Sequence, residues 1–241
     1  MKPKSNNLFH FTRDLANLKS ILQSGFMPRY CLEDVKWMNT NHKFIAHGMV
    51  CFCDIPISRI TEHVDFYGAY GLGMTKDWGL RNKLTPVLYA APESQISKFI
   101  NFLFEIDFGD NSKKQELEDK TTVQIRSLLG LVKPITGQMQ VGTKLITKDF
   151  YQENEWRYVP FDIKMIEEKH FITDQNGANK DVELMKLTFS PNDIKYIFVK
   201  DDSDIPILVD FINSNFGDYP PNDVKILTTR ILSLPTIHSD L

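Results

Sequence analysis

The stretch Leu8-Phe9-His10-Phe11-Thr12-Arg13-Asp14-Leu15-Ala16-Asn17-Leu18-Lys19-Ser20-Ile21-Leu22-Gln23-Ser24-Gly25 changes its apolar rhythm part-way along. Residues 8–12 read as a short strand ending close to His10. Thr12 then caps a helix with Asp14 in its first turn and a buried stripe of Leu15, Leu18 and Leu22, and Gly25 ends it. A strand, a tight turn and a helix in so few residues point to a fold that mixes both element types closely.

Outward from this unit, residues 26–48 look like a long irregular loop covering something. Gly48–Asp54 is a buried-type strand, and Ile57, Ile60 and Val64 then fall at helical spacing behind a cap from Ser58 or Asp54. Tyr70–Met74 is extended, Thr75–Trp78 opens a short helix, and Pro86–Tyr89 is a further strand. Helices are predicted over 93–104 and 122–132, with a mobile linker at 109–114 between them. Strands at 155–159, 184–189 and 194–199 follow, then a helix over 205–216 closed by Gly217. The expected architecture is α+β, one domain of short strands and packed helices spanning 1–241.

The chain has 28 Lys+Arg against 31 Asp+Glu, a formal net charge of -3, so non-specific nucleic-acid binding is disfavoured. Hydrophobic content of 42% and charged content of 24% over 241 residues are ordinary for a globular protein. No run has the length of a signal-peptide core or a membrane span. Cys31, Cys51 and Cys53 form no even disulfide framework, which points to a reducing cytoplasm.

Three familiar chemistries fail on context. Cys51, Cys53 and His47 lack the paired hooks of a structural zinc site, and buried thiols are the better reading, so no metal is assigned. The glycines of Gly68-Ala69-Tyr70-Gly71-Leu72-Gly73 open no long helix of the kind a dinucleotide loop needs. No Gly-x-Ser-x-Gly elbow is present.

Gln152-Glu153-Asn154-Glu155-Trp156-Arg157-Tyr158 remains. Strand alternation puts Glu153, Glu155 and Arg157 on one face, and Trp156 and Tyr158 on the other. Such a face can hold a positively charged transition state. By residue type alone the glutamates face water, His10 is a core or edge histidine, and Tyr67 and Tyr70 are packing aromatics. Their order along the chain is more specific than any one of them.

That order resembles the ADP-ribosyltransferase superfamily: the His10-Phe11-Thr12 strand end, then Val50–Asp54 and a helix bearing Tyr67 or Tyr70, then Glu153-Asn154-Glu155. More closely, the chain is similar to the AbiGi family of bacterial abortive phage-resistance proteins. The similarity rests on the opening His-Phe-Thr, Cys53-Asp54-Ile55-Pro56, Tyr70-Gly71-Leu72-Gly73 with Lys76-Asp77-Trp78-Gly79, and Asn154-Glu155-Trp156-Arg157, and covers most of 8–200.

The transferase resemblance implies a split sheet and NAD as substrate. Glu155 would then stabilise an oxocarbenium-like transition state, and Glu153 would position the nucleophile. His10, beside Thr12, would hold a ribose hydroxyl; Tyr67, Tyr70 or His63 would stack on nicotinamide; and Arg157 would pair with a glutamate or contact pyrophosphate. The acceptor, a macromolecule or water, stays open. The AbiGi resemblance implies instead an antitoxin or regulatory binding protein that neutralises a nucleotidyltransferase-like toxin.

Overall fold

Strand-then-helix at the start of the chain recurs in the computed structural model, which describes residues 5–38, 40–108, 119–141 and 144–239. The strands are β1 (Asn7–Thr12), β2 (Arg29–Asp34), β3 (Phe44–Cys53), β4 (Tyr70–Thr75), β5 (Thr85–Pro86), β6 (Leu88–Ala90) and β7 (Val132–Pro134). They continue with β8 (Thr136–Val141), β9 (Lys144–Asp149), β10 (Glu155–Tyr158), β11 (Ile166–Glu167), β12 (Ile194–Val199) and β13 (Ile231–Ser233). The helices are α1 (Leu15–Ser24), α2 (Ile60–Tyr67), α3 (Lys76–Arg81), α4 (Gln95–Phe108) and α5 (Asp119–Leu129). After them come α6 (Glu168–Thr173), α7 (Gln175–Glu183), α8 (Asp204–Asn215), α9 (Pro221–Thr228) and α10 (Leu234–His238). The fold is α+β, and no described helix is long and apolar enough to cross a membrane.

Two compact units divide the chain: residues 1–26, 52–83 and 187–241 form the first, and 27–51 with 84–186 the second. In the first, the strand order is β13-β12-β4-β1. β4 runs antiparallel to both β1 and β12, and β13 parallel to β12. Gly71 and Gly73 of β4 serve packing here. A Cβ on Gly73 would lie 2.8 Å from the Phe9 ring and 3.0 Å from Tyr196, and one on Gly71 2.8 Å from the Phe11 ring. Their bareness lets Phe9, Phe11, Tyr196 and Phe198 lie across the sheet, with ring centroids 5.6 Å apart for Phe9 and Phe198. Ile55, Ile60, Leu234 and Ile237 close over this aromatic layer.

Gly25 ends α1 as expected, but the cap at its start is Asp14, whose carboxylate accepts from the Asn17 N–H at 2.7 Å. Thr12 stays in β1, paired with Tyr70; a carboxylate two residues on is the better acceptor beside the positive helix end. Neither Ser58 nor Asp54 caps the next helix. A 3-10 turn at Ile57–Arg59 leads into α2 with no side-chain cap, and Asp54 pairs with Lys76 at 2.6 Å. The strand expected at 184–189 is a turn after α7: only Leu187 pairs, with Phe26, and Leu184 is exposed.

The stretch expected as a long loop, 26–48, holds ordered strands among its described residues, and these lie in the second unit. β2 pairs with β3 from Arg29↔Met49 to Asp34↔Phe44. The polar character that hid β2 has partners: Asp34 accepts from the Gln138 N–H at 2.8 Å, and Glu33 meets Arg157. β3 begins at Phe44, not Gly48, and is buried along nearly its whole length, so it shows no alternation to read. Its last residues, Phe52 and Cys53, belong to the first unit.

The expected strand 86–89 is two short ones, because Trp156↔Pro86 pairs β5 with β10 while β6 runs parallel to β7. The helix expected to reach Val132 stops at Leu129, and Val132 opens β7. The β8–β9 hairpin follows. α4 and α5 pack Ile100, Phe104, Ile125 and Leu129 against Val35, Ile45 and Val132. The linker expected at 109–114 lies outside the described residues.

Candidate functional site

β9 runs out at Asp149 into a 3-10 turn, Phe150–Glu153, and Asn154 takes a left-handed conformation at φ 46° before β10 begins. Asparagine tolerates that region better than most side chains, so the chain can turn sharply between the two glutamates. Within β10, Glu155 and Arg157 point inward while Trp156 and Tyr158 are half-buried. Glu153 joins them from the turn rather than from the strand. The glutamates do not face water: Glu153 and Glu155 are 3% and 5% exposed, and Arg157 1%.

They are buried because each meets a cation. Lys148 Nζ lies 2.5 Å from Glu153, and Lys133 Nζ lies 3.2 Å from Glu153 and 2.9 Å from Glu155. Arg157 grips Glu155 through Nε at 2.8 Å and Nη2 at 3.2 Å, reaches Glu33 at 2.8 Å, and donates to the Gly130 carbonyl at 2.9 Å. The order Lys148, Glu153, Lys133, Glu155, Arg157, Glu33 alternates in sign and sums to zero. Lys133 also sits 4.1 Å from the centre of the Phe150 ring, and the Glu155 N–H donates to the Tyr89 hydroxyl at 2.8 Å. Charges this deep are tolerated only when paired and hydrogen-bonded on every side.

Burial alone would raise the Glu155 carboxyl, but Arg157 and Lys133 outweigh it and hold the group well below the usual carboxylate range. Glu153 is lowered the same way, with burial and Glu155 opposing Lys133 and Lys148. For Lys133, burial works against the ammonium, and Glu155, Glu33 and Glu153 reverse the balance and raise it. The Cys51 thiol, pushed up by burial and then by the Glu155 charge, remains protonated and hydrogen-bonds Glu155. At neutral pH these groups are fixed in charge and none is poised to shuttle a proton.

His47 borders the network. Its Nε2 lies 3.0 Å from the Arg126 carbonyl and its Nδ1 3.2 Å from that of Gly48. A Cβ on Gly130 would come within 2.6 Å of the ring, so this glycine lets its backbone rest on His47 while its carbonyl receives Arg157. Burial lowers the His47 pKa more than the two carbonyls raise it.

These shifts predict an acid transition in two stages. His47 is depressed when folded, so its contribution to stability starts to fall as pH drops below its unfolded value of about 6.5. Glu153 and Glu155 are also depressed; their contribution is complete above about 4.3 and is lost as pH falls from there through their folded values. A series of urea midpoints from pH 8 to 3 should slope gently at first and then steeply below about 4. A profile level down to pH 3 would contradict the depressed carboxyls.

The other residues singled out in the sequence lie in the first unit: His10, Thr12, Tyr67 and Tyr70. The His10 ring sits against Phe26 and Phe52, at centroid distances of 5.1 and 5.5 Å. Tyr70 donates its hydroxyl to Asp204 at 3.0 Å and is pushed up to about 12 by burial and by that carboxylate. Tyr67 lies 6.1 Å from the His63 ring. No group of three or more His, Cys, Asp or Glu among the described residues is placed to hold a metal ion.

Sequence reasoning missed Lys133, Lys148, Glu33 and Tyr89, and weighed His47 only as a zinc ligand. The one available signal was Lys133, a lysine between Val132 and Pro134 in an apolar run.

The family described as "abortive phage resistance protein AbiGi, antitoxin" matches residues 24–200, a span holding every member of the charge network. The chain belongs to the AbiGi family. It is similar to an AbiGi abortive phage resistance protein of Lactococcus lactis subsp. cremoris, 28% identical over 249 residues, covering 90% of this chain and 99% of that relative. His10 and Thr12 precede the stretch that matches the AbiGi model, whereas Tyr67, Tyr70, Glu153, Glu155 and Arg157 fall inside it. No solved structure matches the chain.

Proposed function

We propose that this chain is the antitoxin of a phage-defence toxin–antitoxin pair, acting in the cytoplasm by binding and regulation, with a nucleotidyltransferase-like toxin as its partner. The observation that carries a binding rather than a turnover role is the state of Glu155, whose two oxygens are held by Arg157 and Lys133. A carboxylate stabilising a cationic sugar must turn a charged oxygen toward the substrate; this one is neutralised by its own neighbours. Tyr70, one of the rings that would stack on nicotinamide, is buried with its hydroxyl on Asp204. This residue set does not fit NAD. The family description as an antitoxin supports the same reading.

Two measurements test it. Purified protein incubated with NAD should release no nicotinamide above a buffer control, and its co-expression should restore growth to cells arrested by a nucleotidyltransferase-like product of a neighbouring gene. Glu155→Gln should lower neutralisation only in proportion to the folded protein lost. If the wild type releases nicotinamide and a fully folded Glu155→Gln variant does not, the transferase reading replaces this one.

A further inference from the structure

We infer that the outer face of α4 is a twofold interface between two copies of this chain, packed antiparallel helix against helix. α4 is apolar on two sides. Ile100 and Phe104 face the core, yet Ile96, Phe99 and Phe102 on the outside are 44%, 56% and 59% exposed. A helix packed on one side only carries a single apolar stripe, so the second apolar side of α4 calls for a cover of its own, and three large side chains in one row on one helix form a contiguous patch rather than scattered exposure.

Charge names the occupant. Read in heptads, Phe99 takes a core position and Phe102 the next, while Lys98 and Glu105 stand seven residues apart on the same flank, both exposed. In an antiparallel pair each flank meets the same flank of the copy, so Lys98 of one copy faces Glu105 of the other, about 10 Å along the helix from the symmetric second pair. A parallel pairing would set Lys98 against the apolar flank of Ile96 and Leu103 instead. The row is therefore self-complementary in one orientation only. This inference rests on α4 alone and is independent of the antitoxin reading.

The test is light scattering on the purified full chain at high micromolar concentration. Wild type should run at twice the 27.9 kDa chain mass. Phe102→Glu should run as a monomer with an unchanged far-ultraviolet spectrum and melting profile. Lys98→Glu and Glu105→Lys, each setting like charges together twice by symmetry, should each weaken the dimer about tenfold. The double swap Lys98→Glu with Glu105→Lys should restore it. A monomeric wild type overturns the inference, as does a dimer indifferent to Phe102→Glu. A monomer whose α4 variants lose toxin binding would give the face to the toxin and overturn it too.

Discussion

Arg157→Met should lower the free energy of unfolding by about 3–5 kcal/mol, the range for stripping one partner from a buried ion pair. Arg157 is 1% exposed and makes four hydrogen bonds, two to Glu155 and one each to Glu33 and the Gly130 carbonyl. Methionine fills similar space but donates nothing, so among the described residues Glu155 keeps Lys133, the Cys51 thiol and the Tyr89 contact to its backbone, and Glu33 loses its buried partner. The penalty comes mainly from charge left unpaired rather than from bonds lost, and the double variant Arg157→Met with Glu155→Leu should therefore regain part of it. Urea unfolding at pH 7, with the slope unchanged and the midpoint shifted, is the measurement. A loss under about 1 kcal/mol would mean that water reaches the network and screens it as it does a surface pair.

The elements that could be read from sequence are those whose local chemistry and tertiary role agree. β1 and α1 carry a change of period and a terminal glycine, and both form where expected; β12 is a largely apolar run at Ile194–Val199, buried apart from exposed Lys195 and half-buried Tyr196, and keeps those bounds. β2 could not be read, because its pattern of polar residues makes sense only beside partners far away in sequence, such as Arg157 for Glu33. The alternation of Glu155 and Arg157 was legible, but its inward direction was not. Two carboxylates on one face suggest solvent unless two lysines are known to arrive as well: Lys133, 22 residues before Glu155 and across the β8–β9 hairpin, and Lys148, 5 residues before Glu153. The motif glycines Gly71 and Gly73 were read for what they did not do, and their use as bare ground beneath aromatic rings needed the register of β1, β4 and β12.

In the first unit the largest single loss should come from Trp78→Ala, again about 3–5 kcal/mol. Trp78 is among the largest fully buried side chains, packed 5.5 Å from Phe26 and 5.4 Å from Phe52 between ring centroids. Its indole N–H donates to the Thr188 carbonyl at 2.9 Å. Alanine opens a cavity among rigid aromatic rings that cannot collapse into it, and leaves that carbonyl without its donor, at a further cost of about 1 kcal/mol. Trp78→Phe separates the two effects, since it keeps most of the volume and loses only the donor. Set against a total of about 5–15 kcal/mol for a typical protein, the alanine change is severe. Phe26 and Phe52 are also the rings that bracket His10, so the damage should spread there first. In Trp78→Ala the His10 ring resonances should broaden or shift, while in Trp78→Phe they should stay close to wild type. If His10 is unmoved in the alanine variant, its placement is set by β1 alone and the aromatic cluster only fills space.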